Sequence, residues 1–173
     1  MNKAIKVRVL LDHKNDVFRD IDLAKTSSFE SFHKEVLNAF NFPNNQMASF
    51  YLSNDEWDKG EEIPLTDMNE GEDKFIKTME EVSLSDKLFK KGQKMVYVYD
   101  FLLMWCFFIE VIDVLETDTT LPKVSKIIGD APDPMDKDPD IIFAVDDYSS
   151  DDCSTRIALV FDSILAFIFF FFK

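Results

Sequence analysis

Three observations in the sequence predict an α+β fold. Apolar residues alternate from Ile5 to Leu11, an apolar stripe of helical spacing runs from Phe29 to Phe40, and two β-branched, aromatic runs follow Met95. Period two marks strands and period 3.6 marks helices. The order strand, strand, helix, strand, short helix, strand, strand then predicts a β-grasp (ubiquitin-like)-related mixed sheet covered by one main helix.

Each element has its own signal. Ile5, Val7, Val9 and Leu11 fall on one face of the first strand. After the polar turn Asp12 to Asp16, the segment from Val17 to Leu23 reads as its hairpin partner. Ser27 and Glu30 have capping-box spacing, so the helix is expected to begin there, and Asn41-Phe42-Pro43-Asn44-Asn45 is expected to stop it. Met47 to Leu52 is a short strand candidate, followed by a polar loop from Ser53 to Glu62. Ser83 to Phe89 suits a brief helical turn, and Met95 to Phe101 with Phe107 to Leu115 read as a second hairpin.

Composition bounds the rest. The 173 residues, 46% hydrophobic with 18 phenylalanines and only 4 glycines, can fill one core with aromatic volume. The expected organisation is an α+β domain over residues 3–116, an acidic Pro-containing linker over 117–152 and an apolar C-terminal segment over 153–173. Nine aspartates face the single Lys137 between Asp130 and Asp152, among Pro132, Pro134 and Pro139, the composition of a solvated linker. The last segment, Ile157 to Phe172, is nearly all apolar but carries Asp162. It reads as a docked terminal element or as a tail anchor somewhat short of the roughly 20 residues a span requires, and both readings stay open.

A net charge of −14 argues against nonspecific nucleic-acid binding, which depends on Lys and Arg displacing counterions. It favours a basic protein partner or mimicry of nucleic-acid charge. The N-terminus lacks the apolar run of a signal peptide, so a cytoplasmic location is expected.

Several stretches resemble the plasmid pRi Orf-three-like family: Asp16 to Ile21, Ala48 to Tyr51, Asp55-Glu56-Trp57 with Glu61 to Leu65, and Tyr97-Val98-Tyr99-Asp100-Phe101 followed by Trp105. The resemblance spans Lys3 to Leu115. It implies a bacterial α+β domain associated with plasmids or mobile elements, including TnpR-like insertion-element passengers, and it brings no catalytic residue with it. Leu102-Leu103-Met104 stands where many relatives carry a glycine and an acidic residue, and the family's cysteine- and glycine-rich C-terminal motif is missing.

Chemistry-bearing motifs are sparse. His13, His33, Cys106 and Cys153 lack the paired spacing of a zinc site, and Gly60, Gly71, Gly92 and Gly129 do not cluster as a phosphate loop does. Apolar neighbours make Cys106 read as a buried, inert thiol. No cofactor, metal or catalytic residue is expected. The expected function is a non-catalytic interaction module, with Asp55, Glu56, Trp57 and Asp58 as one contact and Tyr99, Asp100 and Trp105 as another. The tryptophan of the first group can alternatively serve as cover for the core. A carboxylate-based enzyme or metal-dependent factor using Asp100 with the loop carboxylates is the rival, and it requires those groups to converge.

Overall fold

The computed structural model describes residues 2–68, 76–117 and 120–137. Seven strands form one sheet: β1 (Asn2–Leu11), β2 (Phe18–Ala24), β3 (Ala48–Ser53), β4 (Lys59–Pro64), β5 (Lys94–Tyr99), β6 (Trp105–Thr117) and β7 (Lys123–Ile128). Their order across the sheet is β4-β3-β5-β6-β1-β2-β7. Two helices accompany them, α1 (Phe29–Phe40) and the single turn α2 (Leu84–Lys87).

This architecture, mostly one seven-strand antiparallel sheet with few helices, corrects the expected α+β, β-grasp-related mixed sheet covered by one main helix. A β-grasp pairs its first strand in parallel with a later one, whereas β1 lies between β2 and β6 and is antiparallel to both. The remaining four pairings are antiparallel as well. The turn after Tyr99 returns β6 directly alongside β5, which fixes β6 antiparallel to β5 and places it beside β1. Size completes the correction. Seven strands at about 4.8 Å spacing span roughly 29 Å, while a 12-residue helix is about 18 Å long, so α1 covers only part of a face.

α1 forms where its apolar stripe was read, but Ser28 and not Ser27 is the cap: its Oγ accepts from the Ser31 amide at 3.2 Å. Asn41, at φ 58° in the left-handed region, ends the helix, and the next amide, of Phe42, bonds back to the Leu37 carbonyl. The buried side of α1 (Phe29, Phe32, Val36, Leu37, Phe40) packs on the face carrying Ile5, Val7, Val9, Phe50, Tyr97 and Phe107. Phe32 stacks on Phe50 at 5.1 Å, and Phe40 meets Phe107 edge-on at 5.1 Å. Each fully buried phenylalanine contributes about 1.5–3 kcal/mol from area alone.

Two strands lie where no strand was expected. β4 sits partly in the polar loop read from Ser53 to Glu62; its Ile63 is its one fully buried residue. Such an edge strand is held by main-chain bonds and presents little hydrophobic pattern. β7 lies inside the expected linker. It pairs with β2 and is mostly exposed, so its ladder and not its side chains holds it there. Gly129 closes this strand at φ 70°, where a Cβ would stand 2.2 Å from the Asp16 carbonyl oxygen, so only glycine fits. The folded part therefore passes Glu116 and continues to Lys137. Residues 138–173, which include the rest of the linker and the whole apolar segment, lie outside the described residues.

Candidate functional site

The residues singled out in the sequence fall at two opposite ends of the central strands. Ser53 pairs with Lys94 at one end of the β3–β5 ladder and Ala48 with Tyr99 at the other, a separation of roughly 17 Å along the strands. The loop Asn54–Asp58 occupies the first end. Tyr99, Asp100 and Trp105 occupy the second.

At the first end the loop is built around Asn54. Its Oδ1 accepts from the Glu56 and Asp58 amides at 3.1 and 3.0 Å, and its Nδ2 donates to Asp58 Oδ2 at 2.8 Å. Ser53 Oγ adds a bond to the Asp58 carbonyl. This turn puts Trp57 at φ 66° and drives its indole inward, to 3% exposure, onto the sheet face opposite α1. There it meets Phe108 edge-on at 5.3 Å and packs in a small cluster with Leu10, Val96, Val98 and Cys106. Trp57 is cover for the core and not an exposed anchor, because the helix leaves this face open and a large apolar ring is the available lid. Cys106, in the same cluster, is 3% exposed.

The carboxylates of the loop point the other way. Asp55, Glu56 and Asp58 are exposed. Lys94 links lid and loop: its Nζ lies 2.9 Å from Asp55 Oδ1 and 5.2 Å from the Trp57 ring centre. The bond from Lys94, reinforced by its charge, holds the Asp55 carboxyl below its usual range.

At the second end all three expected contact residues are committed to the fold. Asp100, at φ 57° and 8% exposed, accepts from the Leu102 and Leu103 amides at 3.0 and 3.2 Å and so shapes the β5–β6 turn. The Tyr99 hydroxyl donates to the Pro43 carbonyl, tying that turn to the chain after α1. Trp105 is 2% exposed; its Nε1 donates to the Pro134 carbonyl at 3.1 Å, and the Lys137 ammonium lies 5.0 Å from its ring centre. These contacts dock residues 130–137 onto the domain. Asp100 and the loop carboxylates do not converge.

Two further polar groups are buried: His33, which the sequence offered as a structural or surface histidine, and Arg19, which it did not single out as a buried cation. His33, fully buried, contacts the Tyr97 hydroxyl at 2.7 Å and Asn44 Oδ1 at 2.9 Å. Because Asn44 Oδ1 can only accept, Nε2 carries the proton and Nδ1 accepts from Tyr97. Burial lowers the His33 pKa and keeps the ring neutral. Arg19, 5% exposed, donates Nε to the Ala39 carbonyl and Nη1 to the Phe18 and Ile128 carbonyls, with its guanidinium 4.8 Å from the centre of the Phe40 ring. It lines a cleft of about 800 Å³ between the end of α1 and residues 127–135. A signal for Arg19 existed: it falls in phase with Val17, Ile21 and Leu23, at a position whose neighbours are all core residues.

The profile of the family described as plasmid pRiA4b ORF-3-like protein matches residues 3–136. The match ends within one residue of Lys137, the last described residue of the docked segment. No curated protein matches the chain. Among solved structures, it is similar to a protein of unknown function, MM3350 from Methanosarcina mazei Go1, with a TM-score of 0.59 and 16% identity over 73% of this chain and 70% of that one. At that identity the similarity is one of fold.

Proposed function

The chain belongs to the plasmid pRiA4b ORF-3-like protein family, and within it we propose that this member is a non-catalytic interaction module whose contact is the carboxylate surface of the Asn54–Asp58 loop. One observation carries the reading. The loop backbone is fixed by Asn54 and by the inserted Trp57, while Asp55, Glu56 and Asp58 are displayed to solvent on that fixed frame. Preorganised exposed charge favours recognition of an oppositely charged surface, because little side-chain or loop order has to be gained on binding. The partner class is a basic protein. Trp57 supports the contact from beneath and does not touch the partner. The commitment of Tyr99, Asp100 and Trp105 to turn and segment contacts removes support for a second contact there and for a shared carboxylate centre with the loop.

The test is a salt titration of binding to a lysine-rich peptide, comparing the wild-type chain with the Asp55→Asn, Glu56→Gln, Asp58→Asn triple variant. Binding should weaken steeply as salt rises toward physiological strength, where the screening length is about 8 Å, and the variant should lose most of the salt-sensitive part. Equal affinity of the two proteins at every salt concentration would sink the proposal.

A further inference from the structure

At the opposite edge of the sheet, the Arg19 cleft has the composition of a small-molecule site. Its walls are about half apolar, from Phe40, Phe42, Pro43, Ile127 and Met135, and its volume of about 800 Å³ suits a ligand rather than a few waters. Ile127 and Met135 are 62% and 81% exposed, an arrangement that leaves the apolar rim open.

The polar groups in the cleft are few and differ in sign. Arg19 is 95% buried, yet its contacts to Ala39, Phe18 and Ile128 use only Nε and Nη1, and all of them go to carbonyls. The two donors of Nη2 have no acceptor among the described residues. Arg19 also has no carboxylate within 4 Å among them. Burial lowers the Arg19 pKa, and Asp130, on the cleft wall, stands close enough to oppose that by its charge without reaching ion-pair distance. Asp133 is already engaged, since its Oδ1 accepts from the Met135 amide at 2.9 Å. Asn41, the left-handed cap of α1, lies on the same wall.

A buried cation with spare donors, a neighbouring exposed carboxylate and apolar walls are complementary to a ligand that carries both charges on one carbon. We propose that this cleft binds the zwitterion of an apolar α-amino acid, with the ligand carboxylate on Arg19 Nη2, the ligand ammonium toward Asp130 and the side chain against Phe42 and Met135. A simple anion fits less well, because Asp130 and Asp133 would repel it. A simple cation would have to approach Arg19. The site goes beyond the acidic loop, from which it is separated by the breadth of the sheet, and either can fail without the other.

The experiment is isothermal titration of the full-length chain with L-phenylalanine, L-phenylalanine amide and N-acetyl-L-phenylalanine. The free amino acid should bind, and each derivative, lacking one charge, should bind about tenfold more weakly or worse, as expected for loss of a charged hydrogen bond. Asp130→Asn, an exposed substitution, should keep the wild-type Tm while lowering the affinity for L-phenylalanine to that of the N-acetyl derivative. Absence of binding at millimolar amino acid, equal binding of the three compounds, or unchanged affinity in Asp130→Asn would each overturn the assignment.

Discussion

The two faces of the sheet solve the same problem by different means. On one, α1 supplies five buried apolar residues, and the aromatic rings of Phe29, Phe32, Phe40, Phe50, Tyr97 and Phe107 interlock beneath it. On the other there is no helix among the described residues. A loop inserts Trp57 over Val96 and Phe108, and beyond that lid the strands carry paired charges, with Arg8 bidentate to Asp20 at 2.8 and 2.9 Å and Lys6 within 3.5 Å of Asp22. A face closed by one side chain from a short turn leaves the rest of that turn free to display charge, whereas a face closed by a helix spends its aromatic side chains on packing.

The largest loss of stability is expected at the helix-covered face. Phe50→Ala, which removes a ring packed between Phe29, Phe32 and Tyr97, should cost about 3–5 kcal/mol in urea unfolding. Trp57→Ala should fall at the low end, about 3 kcal/mol, because the lid closes a smaller cluster and its loop can settle onto the sheet. A larger loss at Trp57 than at Phe50 would reverse the ranking of the faces. Asp100→Asn keeps a residue that tolerates the left-handed backbone but loses the charge in two bonds, so it should cost about 1 kcal/mol and leave binding to the lysine-rich peptide unchanged.

The pH dependence of stability sharpens the same contrast, since His33 belongs to the helix-covered face. Its folded pKa is lowered below the ordinary 6.5, so below pH 6.5 the unfolded chain takes up a proton that the folded chain refuses. Stability should therefore be flat above about pH 6.5 and fall as the pH drops from there toward the folded pKa, and His33→Gln should remove that slope. A slope that persists in the variant would assign it to other groups. The smallest effect belongs to Asp55→Asn. Its exposed ion pair with Lys94 should leave the Tm within error while weakening peptide binding at low salt.

Much of this organisation is written in side-chain periodicity, and what escaped it is held by the main chain. β1, α1 and the β5–β6 hairpin announce themselves through buried, regularly spaced residues such as Val7, Phe32 and Phe107. β4 and β7 do not. Lys59-Gly60-Glu61-Glu62 and Lys123 to Ile128 bury almost nothing, and their places come from ladder bonds to β3 and β2, which any sequence can make. The antiparallel direction of the two hairpins was legible from their short connections, but that of β1 against β6 was not, since alternation says which face is buried and not which way a distant neighbour runs. At the loop, the carboxylates were legible from sequence as a displayed group. For Trp57 the sequence offered both cover for the core and an exposed anchor, and what decides between them is Asn54 folding the backbone of the loop and the open face of Phe108 below.

Trp57 closes the open face while Asp55, Glu56 and Asp58 are displayed to solvent for the proposed contact, and indole fluorescence in Trp105→Phe, where Trp57 is the sole tryptophan, reads that arrangement. The buried indole should give blue-shifted emission weakly quenched by acrylamide, unchanged when the lysine-rich peptide is added. Emission at the wavelength of a hydrated indole, readily quenched and then protected by the peptide, would contradict it and return Trp57 to the contact itself.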